Sequence, residues 1–70
     1  MDNEKFGQFV RSMRKEKQMT QQQLAERLHL TDKAVSKWER GLSLPDISML
    51  EQLARELDVS VVELLCGERK

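Results

Sequence analysis

The segment TQQQLAERLHLTDKAVSKWER, residues 20–40, contains two amphipathic stretches separated by a very short turn. In the first stretch, residues 20–28, apolar residues recur at the three- and four-residue spacing of one helix face. In the second, residues 31–40, Trp38 lies on a narrow apolar stripe opposite a broad polar face. Because only residues 28–31 connect the two stretches, the sequence predicts two helices that cross at a steep angle.

The turn between these helices is one of three similar junctions in the chain. Each has a polar residue, an apolar residue and then Thr or Ser: Gln18-Met19-Thr20, His29-Leu30-Thr31 and Asp58-Val59-Ser60. The polar residue can adopt the left-handed conformation that ends a helix, and the apolar residue can pack back on that helix. The hydroxyl can then cap the next helix. Each junction therefore predicts the end of one helix and the start of another.

Together with a loop closed by Pro45, these junctions divide the chain into five helices. The predicted helices cover roughly residues 3–17, 20–28, 31–40, 46–57 and 60–66. Gln23 and Glu63 are placed to complete capping boxes at the second and fifth helices, whereas the third has Ala34 at that position. No segment alternates with period two for long enough to make a strand. The predicted fold is all-α, and residues 1–70 are predicted to form a single domain.

The composition argues against several classes of protein. The 70 residues are 39% hydrophobic and 34% charged, which is typical of one small soluble domain with little room for a substrate cavity. Cys66 is the only cysteine and His29 the only histidine, so we expect no disulfide, metal site, cofactor or enzymatic activity. We expect no membrane span and, because the first residues do not resemble a signal peptide, a location in the cytoplasm.

The charge is unevenly distributed although the chain is neutral overall. Residues 11–40 contain eight Lys and Arg against four Asp and Glu, a net charge of +4, whereas residues 41–70 carry −3. The polar face of helix 31–40 spans about 140° of arc and contains Asp32, Lys33, Ser36, Lys37 and Arg40. Such a face is typical of a surface that binds phosphates, but also of an ordinary solvated helix. Charge alone therefore leaves both interpretations open.

Three motifs form a specific combination: TQxxLA at residues 20–25, VSxWExG at residues 35–41, and LPDISMLEQLARELDVSVVELL at residues 44–65. Over nearly its whole length the chain resembles the helix-turn-helix domain of the phage repressor/Cro type, the Xre family. The resemblance implies that helix 31–40 lies in the major groove of double-stranded operator DNA while helix 20–28 crosses the phosphate backbone. It implies a sequence-specific transcription regulator, and more narrowly a repressor.

The resemblance also implies roles for individual residues. The positions that read bases are Asp32, Lys33, Ser36 and Lys37, and those that contact the DNA backbone are Thr20, Gln21, Thr31 and Arg40. Lysine suits the O6 and N7 acceptors of guanine, and a carboxylate can accept a hydrogen bond from cytosine N4. Asp32 has a second interpretation as a first-turn acid that favours the helix dipole. Arg14 and Glu39 match an ion pair that ties the first helix to the third.

The chain departs from this family at three helix ends. Family members commonly have glycine at the positions of Gln18, His29 and Asp58. Asp and His adopt the left-handed conformation more readily than most residues, whereas Gln fits it less well. The departure therefore predicts a cost in stability rather than a different fold.

The acidic C-terminal half leaves a second functional class open. Domains of this type also occur as antitoxins, which bind a toxin as well as their own operator. Leu42, Leu44 and Val61 are candidate exposed residues for such a protein partner or for a second copy of the chain. Other apolar residues of the last two helices are predicted to line their buried faces: Ile47, Val62 and Leu65. Operator binding is the main prediction, a homodimer is compatible with it, and a protein-interaction module is the alternative.

Overall fold

The computed structural model describes residues 2–70 and contains five helices joined by short connections. They are α1 (Asn3–Glu16), α2 (Gln21–Arg27), α3 (Asp32–Glu39), α4 (Ile47–Leu57) and α5 (Val61–Cys66). No strand is present among residues 2–70, so the predicted all-α, five-helix fold is confirmed. The predicted ranges are slightly longer at most ends because they include cap residues, which flank a helix without taking its dihedral angles.

Four of the five helices begin at a residue whose side chain accepts a hydrogen bond from the first backbone N–H groups. These N-caps are Asp2, Thr20, Asp46 and Ser60. Both predicted capping boxes are present; in the first, Gln23 N donates to Thr20 Oγ1 at 3.0 Å while Thr20 N donates to Gln23 Oε1 at 2.8 Å. Thr31, before α3, makes no capping bond with its side chain, so the hydroxyl cap predicted at this junction is wrong.

The three predicted helix ends are left-handed, although none of them is glycine. Gln18, His29 and Asp58 have φ angles of 58°, 59° and 59°. In each junction the next residue, which is apolar, donates its N–H to a carbonyl five residues back, at 2.8–3.1 Å. The same apolar residues pack against the core. Each junction is therefore a complete Schellman motif followed directly by a helix start.

The core lies between the helices and receives side chains from all five. The largest fully buried residues are Phe6, Val10, Leu24, Val35, Leu53, Leu57 and Leu64. Trp38 is only 5% exposed and packs in the same cluster, which anchors α3 from its inner side. The predicted core role of Trp38 is therefore confirmed.

The predicted burial of three apolar residues and the predicted exposure of a fourth are wrong. Ile47, Val62 and Leu65 were expected to be buried but are 78%, 58% and 44% exposed, whereas Val61 packs against the core. A helix of six residues has one inward face, and in α5 this face centres on Leu64. Val62 and Leu65 lie roughly 160° and 100° around the helix from it, so they point outward. Leu42 and Leu44 are exposed as predicted.

Candidate nucleic-acid interface

The outward face of α3 brings the predicted base-reading residues together. Asp32, Lys33 and Lys37 are exposed, and Ser36 lies half-buried beside them. On the opposite side of the helix, Val35 and Trp38 enter the core. Because the inner side is held by apolar packing, the outer side presents its polar groups on one continuous surface.

The lysines of this face are not neutralised by acidic side chains. Within residues 2–70, neither Lys33 nor Lys37 takes part in an ion pair. Two other cations of the basic segment are paired with acids of the C-terminal half: Lys17 Nζ with Asp58 Oδ2 at 3.5 Å, and Arg27 Nη1 with Glu56 Oε1 at 3.4 Å. The acids near the end of α4 thus compensate charge beside α2, and the outward face of α3 keeps a positive excess, with Lys33 and Lys37 against Asp32.

Three of the predicted backbone-contacting residues are exposed at helix ends. Thr20 and Thr31 are exposed at the starts of α2 and α3, where backbone N–H groups lack partners inside the helix. Arg40 is exposed directly after α3, and its Nε donates a long hydrogen bond of 3.4 Å to the Ser36 carbonyl. The guanidinium Nη groups of Arg40 make no hydrogen bond within residues 2–70, so they remain available to an external acceptor such as a phosphate oxygen.

A buried charged network holds the C-terminal end of α3. Arg14 Nε donates to Glu39 Oε2 at 2.7 Å and Arg14 Nη2 to Glu39 Oε1 at 3.1 Å, and the two side chains are 10% and 4% exposed. Arg14 Nη1 also donates to the Met19 carbonyl at 2.8 Å, and Gln21 Nε2 donates to Glu39 Oε1 at 3.0 Å. One bidentate pair therefore joins the end of α1, the start of α2 and the last residue of α3.

Residues 10–64 match the family model described as helix-turn-helix. The chain belongs to the Xre-type helix-turn-helix family. It is 38% identical over 63 residues to the HTH-type transcriptional activator BcrR of Enterococcus faecalis, covering 90% of this chain and 31% of that protein. It is 38% identical over 62 residues to the immunity repressor protein of Bacillus phage phi105, covering 89% of this chain and 43% of the repressor.

A solved member of the fold extends this similarity to three dimensions. The crystal structure of SinR, the master regulator for biofilm formation, in complex with DNA has a TM-score of 0.79 and 39% identity, covering 86% of this chain and 97% of that chain. The chain spans only 31% to 54% of the length of the first curated relatives that it matches. The similarity therefore concerns the helix-turn-helix domain of those relatives.

In this helix-turn-helix, Gln21 belongs both to the buried network and to the exposed start of α2. Its half-buried amide uses one N–H on Glu39, and the amide nitrogen has a second N–H that can donate to a phosphate oxygen. A phosphate contact from Gln21 would therefore be held in position by the carboxylate that also holds α3.

Two features that hold the helix-turn-helix in place were not predicted from the sequence. One is the Met19 carbonyl, which the Arg14 guanidinium binds; a main-chain acceptor leaves no sign in the sequence. The other is Gly7, which is buried in α1 against the last turn of α3. The sequence did contain a signal for Gly7, because a glycine inside an amphipathic helix lowers helix propensity and therefore suggests a close packing contact.

Two carboxylates with lowered pKa values lie outside the α3 face and cap the helices that follow it. The pKa of Asp46 is lowered first by the Met49 N–H and then by the Ser48 hydroxyl, and that of Glu63 mainly by the Ser60 N–H. These hydrogen bonds favour the ionised carboxylates. The C-terminal half therefore keeps these negative charges at neutral pH.

Two further features are absent from the part of the chain that the structure describes. Among residues 2–70 there is no group of three or more His, Cys, Asp or Glu side chains placed to hold a metal ion. None of the helices in that range has the length and apolar character needed to cross a membrane.

Proposed function

We propose that residues 1–70 form one DNA-reading domain of a transcription regulator that acts in the cytoplasm, without enzymatic activity or a cofactor. The observation that carries this proposal is the face of α3, where two exposed lysines that form no ion pair within residues 2–70 stand opposite a buried tryptophan. A helix held in this way can enter the major groove, which admits one α-helix. The likeness to SinR in complex with DNA supports the same assignment.

Within this proposal, Asp32, Lys33, Ser36 and Lys37 read base edges. Lys33 and Lys37 suit guanine O6 and N7, and a well-placed contact of this kind discriminates by about 1–3 kcal/mol. Asp32 accepts from cytosine N4, a base-edge donor that the major groove presents at G·C pairs. Ser36 is half-buried, so we propose a contact limited to the nearest base.

Phosphate contacts position the domain on the duplex in the same proposal. Thr20 and Gln21 at the start of α2 bind one strand together with free backbone N–H groups and the positive end of the helix dipole. Thr31 and Arg40, at the two ends of α3, bind the backbone on either side of the groove. These four contacts raise affinity for every sequence and discriminate little between bases.

We further propose that the regulator is a repressor that binds its operator as a homodimer. Five exposed large apolar residues, outside the DNA-facing surface, support association: Leu42, Leu44, Ile47, Val62 and Leu65. A dimer of helix-turn-helix domains reads two half-sites about 34–36 Å apart, which predicts a palindromic operator. A protein partner on the same residues is the alternative, as in an antitoxin.

Selection of bound duplexes from a random DNA library tests the proposed function directly. We expect a palindromic consensus, because each copy of α3 reads one half-site. No enrichment over a scrambled library would contradict DNA reading and would favour the protein-interaction alternative. An asymmetric consensus of a single half-site would retain the reading role and reject the dimer.

Sedimentation of the chain with its selected duplex then tests the dimer by mass. We expect two copies per palindromic duplex and one copy per half-site duplex. At the protein concentration where the wild type places two copies on the palindromic duplex, Val62→Ser with Leu65→Ser should place only one, whereas the exposed control Gln8→Ser should still place two. Two copies for the Val62→Ser, Leu65→Ser chain would contradict a dimer formed through these residues.

A further inference from the structure

Gly7 lies in the interior of α1, where glycine is unfavourable. Its backbone loses more conformational freedom on forming a helix than the backbone of alanine does, so glycine weakens a helix interior. Gly7 is also buried, with its neighbours Phe6 and Phe9 in the core. A buried glycine in such a place indicates that another part of the chain approaches too closely for a side chain.

The part that approaches is the backbone of α3. A Cβ added at Gly7 would lie 2.7 Å from the Glu39 carbonyl oxygen and 2.9 Å from the Glu39 carbonyl carbon, and the Trp38 carbonyl oxygen would be closer still. All three are main-chain atoms, which cannot rotate away as the end of a side chain can. A single methyl group at this position therefore requires α1 and the last turn of α3 to separate.

Two contacts from α1 consequently meet the same turn of α3. Arg14 lies seven residues after Gly7, almost two full turns, and so projects from the same side of α1. Arg14 holds the Glu39 carboxylate while Gly7 packs against the carbonyls of Trp38 and Glu39. At its other end α3 is joined to α2 by residues 28–31. A separation at Gly7 would displace the C-terminal end of α3 more than its N-terminal end.

We infer that Gly7 is a positioning residue for DNA reading: by having no side chain, it lets α1 set the place of Lys37 and Arg40 at the C-terminal end of α3. Asp32 and Lys33, next to the turn after α2, depend on it much less. The inference deepens the proposed function and rests on it for the role of α3 as the reading helix. The packing of Gly7 on α3 is independent of DNA.

The orientation of α3 in the DNA-free chain provides the first test. Gly7→Ala is made in a Gln18→Gly, Asp58→Gly background, which relieves two left-handed positions and so raises stability. The matched control is Gln8→Gly, an exposed neighbour in α1 that loses helix propensity without touching α3. We expect residual dipolar couplings of α3 in Gly7→Ala to depart from the wild-type orientation, and those of Gln8→Gly to fit it throughout. Unchanged α3 couplings in Gly7→Ala, or failure of that chain to fold in this background, would overturn the inference.

Binding to the selected duplex provides the second test, in the form of a double-mutant cycle. We expect Lys37→Ala to lower the affinity of the parent chain about tenfold or more, but that of Gly7→Ala less than about threefold, because the contact is already lost there. Lys33→Ala should cost about the same in both. Equal penalties for Lys37→Ala in the two chains would refute positioning.

The two tests separate failure of this inference from failure of the proposed function. If the wild-type chain selects no duplex, the DNA-reading role is wrong, and the dipolar couplings still decide whether Gly7 sets the orientation of α3. If the wild type selects a consensus and both tests show no difference, the reading role stands and Gly7 has no positioning role.

Discussion

The two halves of the chain use charged side chains in different ways. In α1–α3 the central ion pair is buried, with Arg14 and Glu39 only 10% and 4% exposed, and it is bidentate. The pairs that reach α4 and the C-terminal residues lie at the surface; Arg69 and Glu16, for example, are 57% and 55% exposed. Surface pairs contribute about 0–1 kcal/mol, whereas a buried charge left alone is very costly. The buried pair therefore constrains where α3 lies, and the surface pairs mainly distribute charge.

This contrast also supports the proposed place of the DNA interface. The half with the buried network presents lysines on α3 that have no ion-pair partner in the described part of the chain, and the other half presents acids and exposed apolar side chains. A polyanion is attracted by the first surface and repelled by the second. The zero net charge of the chain conceals this polarity, so it is the local arrangement that indicates nucleic acid.

The largest expected effect is that of Glu39→Ala on stability. Removing the carboxylate leaves the buried Arg14 guanidinium unpaired, which should lower the free energy of unfolding by about 3–5 kcal/mol. Urea titration followed by Trp38 fluorescence measures it. The matched control is Glu56→Ala, which breaks the more exposed pair with Arg27 and should cost less than about 1 kcal/mol. Equal costs would remove the distinction between the two halves.

Lys37→Ala tests base reading on the α3 side of the comparison. We expect a loss of about 1–3 kcal/mol in specific binding and relaxed discrimination at one base pair. Fluorescence anisotropy with single-base variants of the selected duplex measures both. Arg55→Ala, an exposed cation of α4 outside any ion pair within residues 2–70, is the control and should bind as the wild type does. A uniform loss on all duplexes would move Lys37 to the phosphate-contacting set.

Arg40→Ala tests a phosphate contact instead of a base contact. Affinity should fall about equally for all sequences, and the slope of log affinity against log salt should become shallower by about one unit. Titrations at several salt concentrations check this. A slope identical to that of the wild type would show that Arg40 does not contact a DNA phosphate, whatever the change in affinity.

The stability gained by Gln18→Gly and by Asp58→Gly compares two left-handed helix ends. Removing the side chain from a residue with φ of 58° should raise the free energy of unfolding by about 1 kcal/mol. Asp58→Gly should gain less, because Asp tolerates this conformation better and because Asp58 forms an ion pair with Lys17. Thermal or urea unfolding gives both values; a larger gain at Asp58 would show that the ion pair contributes little there.

Acid should destabilise the C-terminal half by protonating the capping carboxylates of Asp46 and Glu63. Their folded-state pKa values lie below the ordinary 3.8 for Asp46 and 4.5 for Glu63, so the ionised forms stabilise the fold. This contribution is present above the ordinary values and is lost as the pH falls through the lowered ones. We expect the pH dependence of unfolding between about pH 5 and pH 2 to be weaker in Asp46→Asn with Glu63→Gln. An unchanged dependence would mean that the caps are equally populated in the unfolded chain.

Most of the fold could be predicted from local sequence, because the residues that end one helix and start the next are close together in the chain. The junctions at Gln18, His29 and Asp58 depend on a few consecutive residues, so a sequence pattern contains nearly all of the information they need. The burial of α5 could not be predicted in the same way. Its apolar residues outnumber the positions on one inward face, and only the packing of α1 and α4 decides which face that is.

The candidate site likewise has features that follow from local sequence and features that depend on contacts between distant residues. The outward placement of Lys33 and Lys37 follows from helical periodicity once Trp38 is assigned to the core. The joint contact of Gln21 and Arg14 with one carboxylate of Glu39 joins residues that are 18 and 25 positions from Glu39 in the chain. Periodicity within one helix contains no information about such a meeting.

The amino-acid sequence by itself determined the five helices, their starts and ends, and the polar face of α3, because each arises from dihedral preferences and hydrogen bonds within a few residues. Tertiary structure alone decided which of the outer apolar residues stay exposed and how closely α1 approaches α3 at Gly7. The physical reason is that burial and close approach depend on which distant surfaces compete for the same space, and that competition is resolved only when all the helices are packed together.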